Sequence, residues 1–312
     1  MRQYGNLQCA ASIGLLLKVI LACVVPTASY GCEVWACRRL PASVTSQQVL
    51  EADFLIILKM LVDARKTTAT PIVFEELGFM PLPYHWLMRV ATFWNSLQSL
   101  PQHHLFAAVF RDSYAIATQG GSSWAASFLS ALRSAHYPYP NDAVGIHPID
   151  MVALRACIRA RVRLPWTDLP LSPRLCPSAG AQLCKYFRWF LPPSAAARTR
   201  LLLLRVSASR LRVFHLFRMG GHDLPIDALR RRRPPVPRLL RFCDMCHQRL
   251  VGDEQHFVFF CTALQPLQDV YSHLFPPGLH SLERFMWQED LSAVVHFISD
   301  AFSFRLSLLR GQ

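Results

Sequence analysis

The sequence predicts a mainly α protein: a helical bundle, then a small CCHC zinc-binding domain, then C-terminal helices. Apolar residues recur at three- and four-residue spacing over long stretches of the 312-residue chain. Proline and glycine stand at the ends of those stretches, where they start and stop helices. A short span near the C-terminus gathers three cysteines and a histidine at metal-ligand spacing. A chain of this length can bury one large core or two smaller ones. With 52% hydrophobic and 17% charged residues, disorder throughout is excluded.

The first 37 residues imitate a secretory signal, with Arg2, an apolar middle and the small Thr27-Ala28-Ser29 segment. Lys18 divides the apolar run into Ala10 to Leu17 and Val19 to Val25, each too short to span a bilayer. The competing reading is a buried helix that starts inside what was once a longer chain. Ser43 to Val62 reads as an amphipathic helix, with Val49, Phe54, Ile57, Leu58 and Leu61 near helical spacing. Thr70-Pro71 starts a short helix and Gly78 ends it. Glu75 and Glu76 lie within it; being adjacent they point about 100° apart, which disfavours a paired-carboxylate site and predicts a solvated face.

From Pro83 to Ser99, the residues Trp86, Val90, Phe93, Trp94 and Leu97 form an apolar stripe, read as core. Helices follow at His104 to Thr118 and Ser122 to Ser134, separated by Gly120 and Gly121. The Gly-Gly-Ser-Ser run has the spacing of neither a phosphate loop nor a nucleophile elbow and is read as a turn. Tyr137 to Pro148 is turn-rich and reads as a linker or domain boundary. Beyond it come a helix at Asp150 to Arg163, a Pro-rich connection and a helix at Ala179 to Phe190, stopped by Pro192 and Pro193.

Ser194 to Phe217 reads as one helix with Arg198, Arg200, Arg205, Arg210 and Arg212 along it. Arg198, Arg205 and Arg212 recur every seven residues and share a face. Arg230, Arg231, Arg232 and Arg233, followed by Pro-Pro-Val-Pro and Arg238, form a flexible or polyproline arm that leads through Arg241 to the cysteine cluster. Helices at Ala263 to Leu274 and Gln288 to Phe302 close the chain, and no repeat of fixed period is present.

The span Arg241 to Cys261 places Cys243 and Cys246 two residues apart and His256 and Cys261 four residues apart, with nine residues between the pairs. Zn2+ favours thiolate and imidazole, and a structural site closes four of them into a tetrahedron. A reduced, metal-free cluster is the alternative. The gap is longer than in a retroviral-type knuckle, and His247 is a conceivable substitute ligand. Asp253 and Glu254 invite a catalytic reading, but four protein ligands leave no position for water. The two acids are expected to cap the helix carrying His256 and Cys261.

Twenty-nine of the 33 basic residues are arginine, which coding bias alone could produce. From Asp150 to Leu250, however, 19 Arg and one Lys face five acids, a net +15, while the remainder carries −2. Such a concentration is the footprint of a polyanion partner. The ten cysteines are scattered rather than arranged as a disulfide framework, which favours an intracellular, nuclear or cytoplasmic setting.

Several stretches together resemble one family. VILACVVPTASYGCEVWAC, from Val19 to Cys37, resembles the segment just after the catalytic palm of non-LTR, LINE-type retrotransposon reverse transcriptases. FLIILKMLVDARKTTATPIVFEELGFMPLPYHWLMRVATFWNSL is similar to the thumb region that follows it. RLRVFHLFRMGGHDLPID, the arginine arm and the Cys/His span resemble the family's C-terminal zinc-binding domain, and ERFMWQEDLSAVVHFISD resembles the tail beyond it. The stretch from about Leu100 to Leu175 contributes least.

The resemblance implies a thumb-like helical region over 1–137, a connector over 138–192, an Arg-rich helix and zinc domain over 193–275, and a helical tail over 276–312. It also implies that the N-terminal stretch is internal to a fold, not a secretory signal, and that no membrane is involved. The chain has no Asp-Asp pair or palm region to hold two catalytic metals, so neither polymerase nor endonuclease activity is expected. The expected partners are RNA or DNA and a separately encoded or upstream polymerase core. Arg198, Arg205, Arg212, Arg230 to Arg233, Arg238 and Arg241 are the expected contacts to nucleic acid, with Zn2+ as structural cofactor. The alternative function is a zinc-stabilised protein-interaction module without a nucleic-acid ligand.

Overall fold

The apolar periodicity resolves into helices, and the computed structural model describes them over residues 13–36, 49–140, 145–167, 185–246 and 248–311. In chain order the principal helices are α1 Ile13–Val19, α2 Val49–Leu61, α3 Thr70–Leu77, α4 Leu82–Gln98, α5 Leu105–Thr118 and α6 Trp124–Ser134. They continue with α7 Met151–Thr167, α8 Ala195–Leu202, α9 Ala208–Arg218, α10 Gln265–Val270, α11 Leu282–Met286 and α12 Leu291–Arg310. No strand occurs among the described residues, only one antiparallel bridge between Phe242 and Val251. The mainly helical class is therefore as predicted.

The chain divides into two compact units that interleave in sequence. One comprises residues 19–54 and 79–168, the other 1–18, 55–78 and 169–312, so the division falls inside α2.

The first of these units is built on the apolar stripe of α4. Trp86 and Trp94 are fully buried within it. Trp94 lies 4.8 Å from Phe110, 4.9 Å from Phe128 and 5.9 Å from Trp124, ring centre to ring centre, which brings α5 and α6 onto α4. Aromatic clusters of this kind bury large area at low rotamer cost. The stretch expected to be a linker or domain boundary is tied to α4 at its end: Trp94 Nε1 donates to the His147 carbonyl, and Asn95 bonds both the N–H and the carbonyl of Ile149, just beyond it. Ser123 caps α6 by accepting from the Ala126 amide.

The second unit packs α9 against α12. Val294, Val295, Phe297, Ile298 and Ala301 line the buried face of α12. Its 20 residues are long and apolar enough by composition to cross a membrane, but this face is filled by the unit's own core. Asp290 caps α12, three residues after the start expected from sequence, by accepting from the Ala293 amide.

Three sequence expectations are corrected within this unit. The single helix expected over Ser194 to Phe217 is two, α8 and α9, because Ser207 adopts extended backbone at ψ 143° and Val206 and the neighbouring serines favour a break over continued helix. Ala263 to Leu274 is likewise segmented, with α10 flanked by the turns Thr262–Leu264 and Ser272–Leu274. The third concerns Glu75 and Glu76, expected to be solvated. Glu76 is fully buried, and Glu75 is paired with Arg198 at 2.9 Å.

Glu76 is the hub of a buried polar cluster. It accepts from Arg218 Nε at 2.7 Å, Arg218 Nη2 at 2.9 Å and Tyr186 Oη at 2.6 Å, and pairs with His215 Nδ1 at 2.8 Å. Burial alone would raise its pKa; the Arg218 guanidinium and the His215 hydrogen bond override that and hold it well below the usual carboxylate range. Arg218 is itself buried, with its guanidinium 4.6 Å from the Trp287 ring centre.

Candidate metal centre

The four nominated ligands come from two short segments. Phe242 and Val251 form the bridge, and the Cys243 amide donates to the Leu250 carbonyl at 2.8 Å, making a hairpin whose turn carries Cys243 and Cys246. His256 begins the helical turn His256–Phe260, and Cys261 follows it, with its amide on the His256 carbonyl at 2.8 Å. Asp253 Oδ1 accepts from the His256 amide, as expected of a cap, and Asp253 Oδ2 pairs with Arg238 at 3.1 Å.

Two backbone features let the segments meet. Gly252 lies against the hairpin: a Cβ there would stand 3.0 Å from Cys243 Cα and 3.0 Å from Pro225 Cγ. Its amide donates to the Arg241 carbonyl and its carbonyl accepts from the Ile226 amide. On the other side, Phe257 packs its ring 4.9 Å from that of Phe302 and 6.1 Å from that of Phe217, joining the His256 turn to α12 and α9. Arg305 from α12 bonds Asp244, the residue after Cys243 in the turn that carries both cysteines.

The ligand atoms of Cys243, Cys246, His256 and Cys261 all lie within 4.8 Å of one another. Cys243 Sγ and Cys261 Sγ are 3.8 Å apart, and Cys246 Sγ and His256 Nε2 are 3.3 Å apart. A tetrahedral ion with metal–sulfur bonds of about 2.3 Å requires sulfur–sulfur edges of about 3.75 Å and sulfur–nitrogen edges of about 3.5 Å. A disulfide would require about 2.05 Å and is excluded at that separation. The four residues could therefore hold a metal ion with little rearrangement.

Cys243 is the thiol readiest to lose its proton. The hydrogen bond with the Cys261 sulfur is the main cause, followed by the His256 contact and the backbone amides of Met245 and Cys246, and together they bring its pKa down to about 3 against the cost of burial. The same contact and burial push Cys261 up. A bound cation would favour the thiolate at all three sulfurs.

A second gathering of possible ligands, His222, Asp227 and Glu254, is buried nearby in sequence. Glu254 was expected to cap the helix; instead it is fully buried and receives Lys185 Nζ on both oxygens, at 2.8 and 3.1 Å. The Leu224 amide donates to His222 Nδ1, which places the proton on Nε2, facing Glu254 at 3.1 Å and Asp227 at 3.3 Å. A metal would need the lone pair of that nitrogen and the space of the Lys185 ammonium. Lys185 balances Glu254 and Arg230 balances Asp227, so this group is a charge network rather than a second centre.

The nine nominated arginines separate into two sets. Arg198 is bound to Glu75, Arg212 to Asp63, Arg230 to Asp227, Arg231 to Asp223 and Arg238 to Asp253. Arg241 donates to the carbonyls of Val236 and Ile226, both at 2.8 Å. The arm expected to be flexible or polyproline is thus held along much of its length by its own arginines. Arg205, Arg232 and Arg233 are exposed, and none of the described acids pairs with them. The break between α8 and α9 takes Arg205 out of the helical face it was expected to share with Arg198 and Arg212.

Sequence reasoning missed Lys185, His222, Gly252, Arg249 and Arg305. Arg249 and Gly252 had a visible signal, their place inside the Cys/His span; Arg249 is exposed, with φ at +51°. Compared with known proteins, the chain matches no family model, no curated protein and no solved structure.

Proposed function

We propose that this chain is a zinc-stabilised, nucleic-acid-binding region of a LINE-type reverse transcriptase, acting in binding rather than in catalysis. The observation that carries the proposal is a cluster of three cysteines and a histidine whose ligand atoms lie within 4.8 Å of one another, with exposed arginines on the flanking arm and in the hairpin that no described acid pairs. Three sulfurs and one imidazole suit Zn2+ better than harder cations, and four ligands assign the ion a structural role. The resemblance of ordered stretches along the chain supplies the polymerase context. Bound zinc would hold the hairpin to the His256 turn; the chain's own Asp253, Arg238 and Arg305 position the ligand segments.

The internal pairing of five nominated arginines favours a second reading, a protein-interaction module whose arginines serve the fold. Charge reversal separates the two, but only at positions that do not also hold the fold together. Reversing Arg198 or Arg231 would break the pair with Glu75 or Asp223. The informative variant is Arg205→Glu, Arg232→Glu and Arg233→Glu together. If these residues neutralise phosphates, binding of the full chain to duplex DNA weakens and its log–log salt slope shrinks by about 0.9 for each phosphate no longer neutralised. Unchanged affinity and slope in a folded variant would favour the interaction module.

A further inference from the structure

The metal-bearing hairpin carries more than charge. Phe242 is 39% exposed, Leu250 47%, and Leu239 and Leu240 on the turn leading into the hairpin are 70% and 55%. Many phenylalanines of the second unit make ring contacts, as at Phe217, Phe257, Phe285 and Phe302, and Phe74, which makes none, is buried. Phe242 makes no ring contact with any described residue. Arg249 adjoins Leu250 on the same hairpin, and neither it nor Arg232 or Arg233 has a partner among the described residues. Arg241 ties the segment carrying those two arginines back to the hairpin through the Val236 carbonyl.

Arginines alone would suffice to read a duplex backbone. An exposed aromatic and leucines set among uncompensated arginines match a different ligand, one that offers both phosphates and unstacked base faces. We propose that this hairpin face takes an unpaired nucleic-acid strand, with a base stacked on Phe242 and phosphates on Arg249, Arg232 and Arg233. The inference rests on the nucleic-acid reading above and specifies single strands over duplex. The Cys243–Cys246 turn, fixed from behind by Arg305 and Gly252, would present the platform without ordering cost at binding.

The test uses the zinc-loaded full chain and two fluorescein-labelled probes, an oligo-U of about 20 nucleotides and a duplex of about 20 base pairs, at fixed salt. The expected result is tighter binding to the single strand. Phe242→Ala lowers that affinity about tenfold while leaving duplex affinity unchanged, and Phe242→Trp restores it. Metal content and circular dichroism verify that each variant is folded. Should the Ala variant lose metal, Phe242→Leu keeps the apolar bulk without the ring and is expected to show the same selective loss.

Equal loss on both probes, or no loss on the single strand, overturns the stacking role while leaving nucleic-acid binding intact. If the chain binds neither probe, the nucleic-acid reading fails and the strand proposal with it. If it instead self-associates on dilution analysis in a manner abolished by Phe242→Ala, the face is a protein contact and the proposal is overturned.

Discussion

Replacing Glu76 by Gln keeps the shape of the buried cluster and removes its charge. In the native chain this carboxylate accepts from Arg218 at 2.7 and 2.9 Å and from Tyr186 at 2.6 Å, and pairs with His215 at 2.8 Å, all without solvent. The substituted amide could still accept from Arg218 or Tyr186, but the buried guanidinium would lose its counter-charge. Breaking a buried pair on one side costs about 3–5 kcal/mol; the retained hydrogen bonding places Glu76→Gln near the lower figure. Urea unfolding followed by circular dichroism, with the slope unchanged, reads this as a shift in midpoint. Adding Arg218→Met removes the orphaned charge at similar volume, so the double variant should be more stable than Glu76→Gln alone. The pH dependence follows the same pair. Because the folded pKa of Glu76 is depressed, its contribution is fully present above the unfolded carboxyl value of about 4.3 and is lost as pH falls through the folded value. A loss below about 1 kcal/mol for Glu76→Gln, with no recovery in the double variant, would refute the role of Glu76 as the cluster's charge centre.

Two glycines give further expectations. A Cβ at residue 252 would press on Cys243 Cα and Pro225 at 3.0 Å, so Gly252→Ala should displace the hairpin and weaken metal affinity about tenfold, measured by competition with a chromogenic chelator. At Gly78, φ is +66° and a Cβ would lie 2.5 Å from Arg198 Cδ. Gly78→Ala should therefore cost about 1–2 kcal/mol in thermal or urea unfolding, and more than the same change at the open Gly145.

The helices were legible because their signals are local. The α4 stripe and the Gly78 stop each act within a few turns of the residues that encode them. The metal ligands were legible for a related reason: Cys243, Cys246, His256 and Cys261 announce themselves by spacing. What the sequence concealed depends on partners far along the chain. Glu76 looks like a surface acid until Arg218, His215 and Tyr186 arrive from more than a hundred residues away. Glu254 looks like a cap until Lys185 and His222 surround it. The arginine count overstated the free positive field for the same reason, since Arg198 and Arg212 find acids at residues 75 and 63 that no local pattern pairs with them. The break after α8 was hidden because arginines every seven residues read as one face whether or not the helix continues.

Whether Cys243, Cys246, His256 and Cys261 close on one ion can be read directly by zinc-edge X-ray absorption on the purified full chain, alongside its metal content. The expected result is one zinc per chain, with three sulfurs at about 2.3 Å and one nitrogen at about 2.0 Å. A folded chain that holds no zinc, or zinc bound with fewer than three sulfurs and an added water oxygen, would contradict a closed structural centre.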